Sequence, residues 1–226
     1  MSRLSEPRLA RVLAREHAAA REQAMARRAT REAGGGNAAP GPPAAVDFRT
    51  SAMHRTGYLA IGPAQGRWLH GLALAAGARE IVEFGTSFGI STLYLAAAAA
   101  ETGGRVTGSE YHGGKAEKAR ANLAEAGLSA TILTGDARET LAGPGPGIDL
   151  LFLDGAKELY LPILHLLAPR LRRGSMIVAD NIPTGREERE AAASAPFSRF
   201  LDDPANGFVA TVTGFDRGGM SFAVKL

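Results

Sequence analysis

Four side chains in this sequence have the types and the placement to act together on one ion. Asp154 closes the apolar run IDLLFLD, Asp180 and Asn181 close SMIVADN, and Lys157 follows Asp154 by three residues. Each run reads as a buried strand, and neighbouring parallel strands lie about 4.8 Å apart, so both carboxylates can converge on one cation. Two carboxylates, an amide oxygen and waters form an all-oxygen shell suited to Mg²⁺, with Mn²⁺ or Ca²⁺ as alternatives. The chain has no cysteine, and its five histidines (17, 54, 70, 112, 165) show no zinc spacing. A partly desolvated lysine beside two acids can serve as a general base. The plainer readings are a polar strand end turning before Pro183 and an exposed lysine at a helix start.

A second group lies upstream. EIVEFGTSFGIST, residues 80–92, ends a strand in Glu83 and turns through Gly85 and Gly89, with Ser91 and Thr92 opening the next helix. A glycine just past a strand leaves room for a ligand to approach the backbone. Glu110 ends the second strand, 25 residues after Gly85, where an acid can accept from both ribose hydroxyls. Asp136, in TGDA, ends the third, positioned for an adenine amino group. Three acids at successive strand ends suggest a nucleoside-type ligand. The G-x-x-x-G spacing departs from the dinucleotide G-x-G-x-x-G, and Glu83 is unwelcome beside a diphosphate. A cationic ligand without phosphate, S-adenosylmethionine, fits better.

The elements that must hold these residues are legible in the pattern. β-rich runs at 80–84, 105–109, 130–134, 148–153 and 175–179 alternate with helical stretches at 89–101, 113–126, 136–142 and 157–172. That alternation predicts a parallel sheet covered on both faces. FVATVTG and MSFAVKL, separated by FDRGG, predict a terminal hairpin. Residues 7–33, rich in Ala, Arg and Glu, read as a helix, and GGGNAAPGPP (34–43) as a link. The domain division is therefore 1–43 and 44–226.

The 226 residues, 45 % hydrophobic, suffice for one α/β domain with an appendage. Absent cysteines, no apolar run near the roughly 20 residues needed to span a bilayer, and no secretory core predict a cytoplasmic protein. Residues 1–32 carry eight Arg and four Glu, alternating with Ala and without interleaved aromatics. They read as a solvated or partner-facing helix rather than a nucleic-acid surface. Its apolar positions, Leu9, Val12, Leu13 and Met25, are sparse, so the helix is expected to pack on the domain or in a homodimer.

In these motifs the sequence resembles the class I S-adenosylmethionine-dependent methyltransferases. More narrowly, it resembles the metal-dependent O-methyltransferases typified by the catechol and caffeoyl-CoA enzymes. The resemblance covers about residues 55–226 and rests on VEFGTSFGIST, AIGPAQGR, FLDGAKELYLP and VADNIP. It implies a Rossmann-like fold: a seven-stranded, mostly parallel sheet with a C-terminal antiparallel hairpin, helices on both faces and an N-terminal helical extension. It implies Gly85, Thr86, Ser87 and Ser91 around the methionine part of the cofactor, Glu83 organising that loop near the ammonium, and Leu59 and Ile61 in contact from upstream. Glu110 is implied for the ribose, Asp136 and Ala137 for the adenine, and Asp154 beside the cofactor as well as on the metal with Asp180 and Asn181. Gly155 and Ala156 replace bulkier residues of the animal catechol enzyme, implying a more open wall. The expected reaction is methyl transfer to a hydroxyl of a small-molecule vicinal diol, with Lys157 as base. Met53, His54, Tyr58, Arg186 and Phe215 are candidates for the acceptor wall. The alternatives are a nucleotide-dependent oxidoreductase, a non-catalytic S-adenosylmethionine-binding protein and a metal-independent methyltransferase.

Overall fold

Apolar β-branched runs between helical stretches leave few ways to bury both faces of a sheet, and the chain adopts the alternating one. A computed structural model of the chain describes residues 2–33, 47–216 and 218–226. The segment expected as a link (34–43), and the boundary between residues 43 and 44, lie outside the described residues.

The strands are β1 (Glu80–Phe84), β2 (Arg105–Glu110), β3 (Thr131–Thr134), β4 (Ile148–Leu153), β5 (Leu171–Asp180), β6 (Phe208–Phe215) and β7 (Gly218–Lys225). They form one seven-stranded sheet in the order β3-β2-β1-β4-β5-β7-β6. β1 to β5 pair in parallel; β7 runs antiparallel to both β5 and β6. β6 therefore points the same way as the first five strands, and β7 alone is reversed. The order reverses between β1 and β4, and ligands of open α/β sheets bind outside the strand ends at that switch.

Register sets the site. Phe84 is level with Leu153, and Leu153 with Ala179. One step further along each strand, Gly85, Asp154 and Asp180 therefore share one edge. Gly85 has φ +94°, and a Cβ there would lie 2.6 Å from the Asp154–Gly155 backbone. The glycine expected to make room for a ligand also makes room for the neighbouring strand tip.

The helices are α1 (Pro7–Ala33), α2 (Ala52–Thr56), α3 (Pro63–Ala75), α4 (Ile90–Thr102), α5 (Gly113–Ala126), α6 (Ala137–Thr140), α7 (Tyr160–Leu167), α8 (Arg186–Ala191) and α9 (Ala195–Asp202). The helix expected over 157–172 is shorter, flanked by 3-10 turns, and β5 already begins at Leu171. Residues 90–99 are buried throughout, because the alanine-rich α4 lies between the sheet and the helices α1, α3 and α5. Small side chains let all of them close in. α3 was not expected, since Gly66 and Gly71 lower helix propensity. Gly66 is there for packing: a Cβ would meet the Tyr94 ring at 2.2 Å.

The basic N-terminal helix is docked rather than merely solvated. Leu9, Val12, Leu13 and Ala20 join the core, while Met25 is 72 % exposed. Arg15 donates to Glu125 (2.6 Å) and Asn122 (2.8 Å) of α5, and Arg8 to the Glu125 carbonyl (3.0 Å). Among the described residues no helix is long and apolar enough to cross a membrane.

Candidate active site

The strand tips open into a cleft that is partly open to solvent. Gly85, Ser87, Glu110, Asp136, Ala137, Asp154 and Leu59 line it. Glu83, Ile61, Asp180 and Asn181 do not. Ile61 is in the hydrophobic core. Thr86 and Ser91 border a smaller recess of about 220 Å³ under Leu59 and Ala60.

Glu83 is 0 % exposed. Its carboxylate accepts from Thr92 Oγ1 (2.5 Å), Ser91 Oγ (2.6 Å) and Thr86 Oγ1 (2.9 Å). Burial raises its pKa, and the three hydroxyls pull the other way. The acid staples the β1–α4 turn from inside, so the hydroxyls of Thr86 and Ser91 face it rather than the cleft. Gly89, at φ +86°, starts α4 in the left-handed region, and a Cβ there would lie 3.0 Å from Ala119 of α5.

Glu110 is held by backbone donors: the Ser87 N–H at 2.7 Å and the His112 N–H at 2.9 Å. Both contacts leave lone pairs for a ligand diol. Asp136 caps α6, and Arg138 grips it with Nε at 2.9 Å and Nη2 at 2.5 Å, lowering its pKa. Across the rim, Phe48 and Tyr111 meet edge to face at 5.3 Å. This pair joins residues far apart in the chain.

At the β4–β5 end, Lys157 Nζ donates to Asp154 Oδ1 at 3.2 Å and to the Tyr160 hydroxyl at 2.6 Å. Tyr160 in turn donates to the Asp180 carbonyl at 3.0 Å. Gln65 Nε2 donates to Asp180 Oδ1 at 2.7 Å, and its own Oε1 accepts the Gly62 N–H at 2.8 Å. Burial holds the Asp154 carboxyl well above the carboxylate range; the Asp180 charge adds to this and Lys157 opposes it. Asn181 follows at φ +56°, a left-handed position that asparagine tolerates, and is exposed. An acid whose proton affinity a neighbouring acid raises, together with that neighbour and an adjacent amide, makes an all-oxygen donor set that fits a hard divalent cation. Gln65 and Tyr160 were missed by the sequence reading; their partners are 115 and 20 residues away, and only folding joins them.

Of the acceptor-wall candidates, His54 alone lines the cleft. Its pKa is lowered by burial, then by Lys115 and His112. Tyr58 packs on Phe88 at 4.4 Å and donates to buried Glu16 at 2.7 Å. Phe215 packs on Trp68, Met53 touches Arg27, and Arg186 pairs with Glu190. The space beside Gly155 is filled by the Phe84 ring, which a Cβ would meet at 2.3 Å.

A family described as a methyltransferase domain matches residues 82–182, the stretch from β1 to the end of β5. A catechol O-methyltransferase of Mycobacterium tuberculosis is 38 % identical over 130 residues, 56 % of this chain. That match spans 59 % of the relative's length. A cofactor-bound structure from MTB superposes with TM-score 0.64 at 33 % identity, covering 74 % of this chain and 82 % of that one. An O-methyltransferase from Bacillus cereus in complex with SAH (S-adenosylhomocysteine) gives 0.65 at 28 %, covering 74 % and 83 %. With the switch-point cleft, the reversed β7 and these likenesses together, the chain belongs to the class I S-adenosylmethionine-dependent O-methyltransferases of the catechol and caffeoyl-CoA type.

Proposed function

We propose that this protein transfers a methyl group from S-adenosylmethionine to one hydroxyl of a small vicinal diol, such as a catechol-like or natural-product acceptor, in the cytoplasm. The observation that carries this reading is the meeting of Asp154, Asp180 and Lys157 at the tips of β4 and β5, beside the cleft at the switch in strand order. Asp154, Asp180 and Asn181 would hold a divalent cation, Mg²⁺ or else Mn²⁺ or Ca²⁺, whose chemistry there is to acidify a chelated hydroxyl.

The chain's own groups do the rest. Gln65 orients the Asp180 carboxyl, and Tyr160 sets the height of Lys157 by accepting its N–H. Lys157 takes the hydroxyl proton at Nζ and, being 27 % exposed, passes it to solvent. The acceptor oxygen forms its bond to the methyl carbon as the carbon–sulfur bond breaks, and the electron pair stays on sulfur. Charge is neutralised along this path, so the apolar lining of Leu59, Phe84, Ala156 and Leu159 favours it by keeping water out. Glu110 and Asp136 would hold the ribose and the adenine end, with Ala137 against the base.

A methyl-transfer assay on a panel of catechols, with Mg²⁺ or with EDTA, tests this. Turnover is expected only with the metal. Full turnover in EDTA sinks the metal assignment, and no methylation of any diol sinks the acceptor class.

We also propose a homodimer built on the distal half of α1, where Met25 is exposed. Sedimentation of the full chain and of Met25→Glu should give a dimer and a monomer; equal masses overturn this.

A further inference from the structure

The geometry points to Lys115, in the first turn of α5, as the counter-charge that binds the carboxylate of the cofactor's methionine part. This rests on the donor reading above and adds a residue that none of the sequence motifs singled out.

Lys115 is 3 % exposed yet lines the cleft. Its Nζ donates to Ser87 Oγ at 3.2 Å and lies 5.2 Å from the centre of the Phe88 ring. An ammonium has three donors, and Ser87 takes one of them. The acids that face it, Glu110 and Asp154, already accept from Ser87 and His112 N–H groups and from Lys157. Fully buried lysines are rare unless paired, because a desolvated ammonium is costly. That cost is visible in its pKa, which burial lowers against the pull of Glu110 and Asp154.

The ligand chemistry decides what completes the site. S-adenosylmethionine carries a sulfonium, an ammonium and one anionic group, the carboxylate. The first two are repelled by Lys115; the third is attracted. The hydroxyls of Thr86, Ser91 and Thr92 are committed to Glu83. On this wall that leaves Ser87 Oγ and Lys115 Nζ as paired side-chain donors, a short charge-assisted site for a carboxylate.

The test is a double-mutant cycle by calorimetry on the ligand-free full chain, using SAH and its decarboxylated analogue against wild type and Lys115→Met. SAH affinity should fall about 10- to 100-fold in the variant, the size of a charge-assisted hydrogen bond. The decarboxylated analogue should bind both proteins within about twofold. The thermal midpoint of ligand-free Lys115→Met should match or exceed the wild type's, since methionine fills the space without a buried charge. Equal loss for both ligands, or no loss for SAH, overturns the assignment while leaving the donor reading intact. Absence of SAH binding to wild type overturns both. If Lys115→Met does not fold, the same cycle is run with Lys115→Gln, which keeps a donor and removes the charge, and the same outcomes decide.

Discussion

Glu83 and Asp154 sit two residues out of level at the ends of adjacent strands, Glu83 fully buried and Asp154 in the cleft wall, and burial pushes both carboxyls up in pKa. Their surroundings differ. Glu83 accepts from three hydroxyls and touches no cleft; Asp154 has one donor, Lys157, and a second acid, Asp180, beside it. A buried acid whose lone pairs are satisfied fixes a turn. A buried acid set against another acid holds a high-energy arrangement that an arriving cation can relieve. On the function proposed above, the same residue chemistry on two neighbouring strands divides into scaffold and site.

That contrast can be broken most strongly at Asp154. Asp154→Ala should lower kcat by about 10⁴-fold, several kcal/mol of transition-state stabilisation, with SAH affinity by calorimetry within about threefold of wild type. Near-normal turnover would move the chemistry elsewhere. Next, Lys157→Met should slow single-turnover methyl transfer by about 10²- to 10⁴-fold; an unchanged rate would hand the proton to water. On the scaffold side, Glu83→Leu leaves three hydroxyls without their acceptor and should cost about 2–4 kcal/mol in urea unfolding. If stability holds but the reaction stops, Glu83 belongs to the site and the contrast fails.

The smallest effect sharpens the comparison through pH. Glu83 has a folded pKa above its ordinary 4.5, so above about pH 4.5 the folded state binds more protons than the unfolded one. Its contribution to stability is therefore full below that pH and declines as pH rises toward the folded pKa. Glu83→Gln should flatten this part of the stability–pH curve, read by urea melts at several pH values; an unaltered slope would mean that Glu83 does not titrate differently on folding.

Much of the frame was legible. Strands β1 to β5 were read within a residue or two, apart from the start of β5, because each is a short apolar run bounded by polar turns. The terminal hairpin was read from two β-rich runs around FDRGG. α3 was not, because Gly66 looks like a helix breaker until Tyr94 is seen lying where a side chain would be. Thr86 and Ser91 were expected to face the methionine part, yet their hydroxyls turn inward, since Glu83 is nearer and cannot be left unsatisfied. Lys115 gave no signal, because nothing in its local sequence says that its helix start is covered.

By itself, then, the chain's pattern determined the alternation of strand and helix and the acids that end each strand, because periodicity and termination are local properties. Which strand tips lie side by side was decided by the crossover from β3 to β4 across β1. Which acids are satisfied and which oppose one another was decided by donors such as Gln65, Ser91 and Thr92, brought in by other elements. Carboxylate energetics depend on partners within a few ångströms, and those partners are neighbours only in three dimensions.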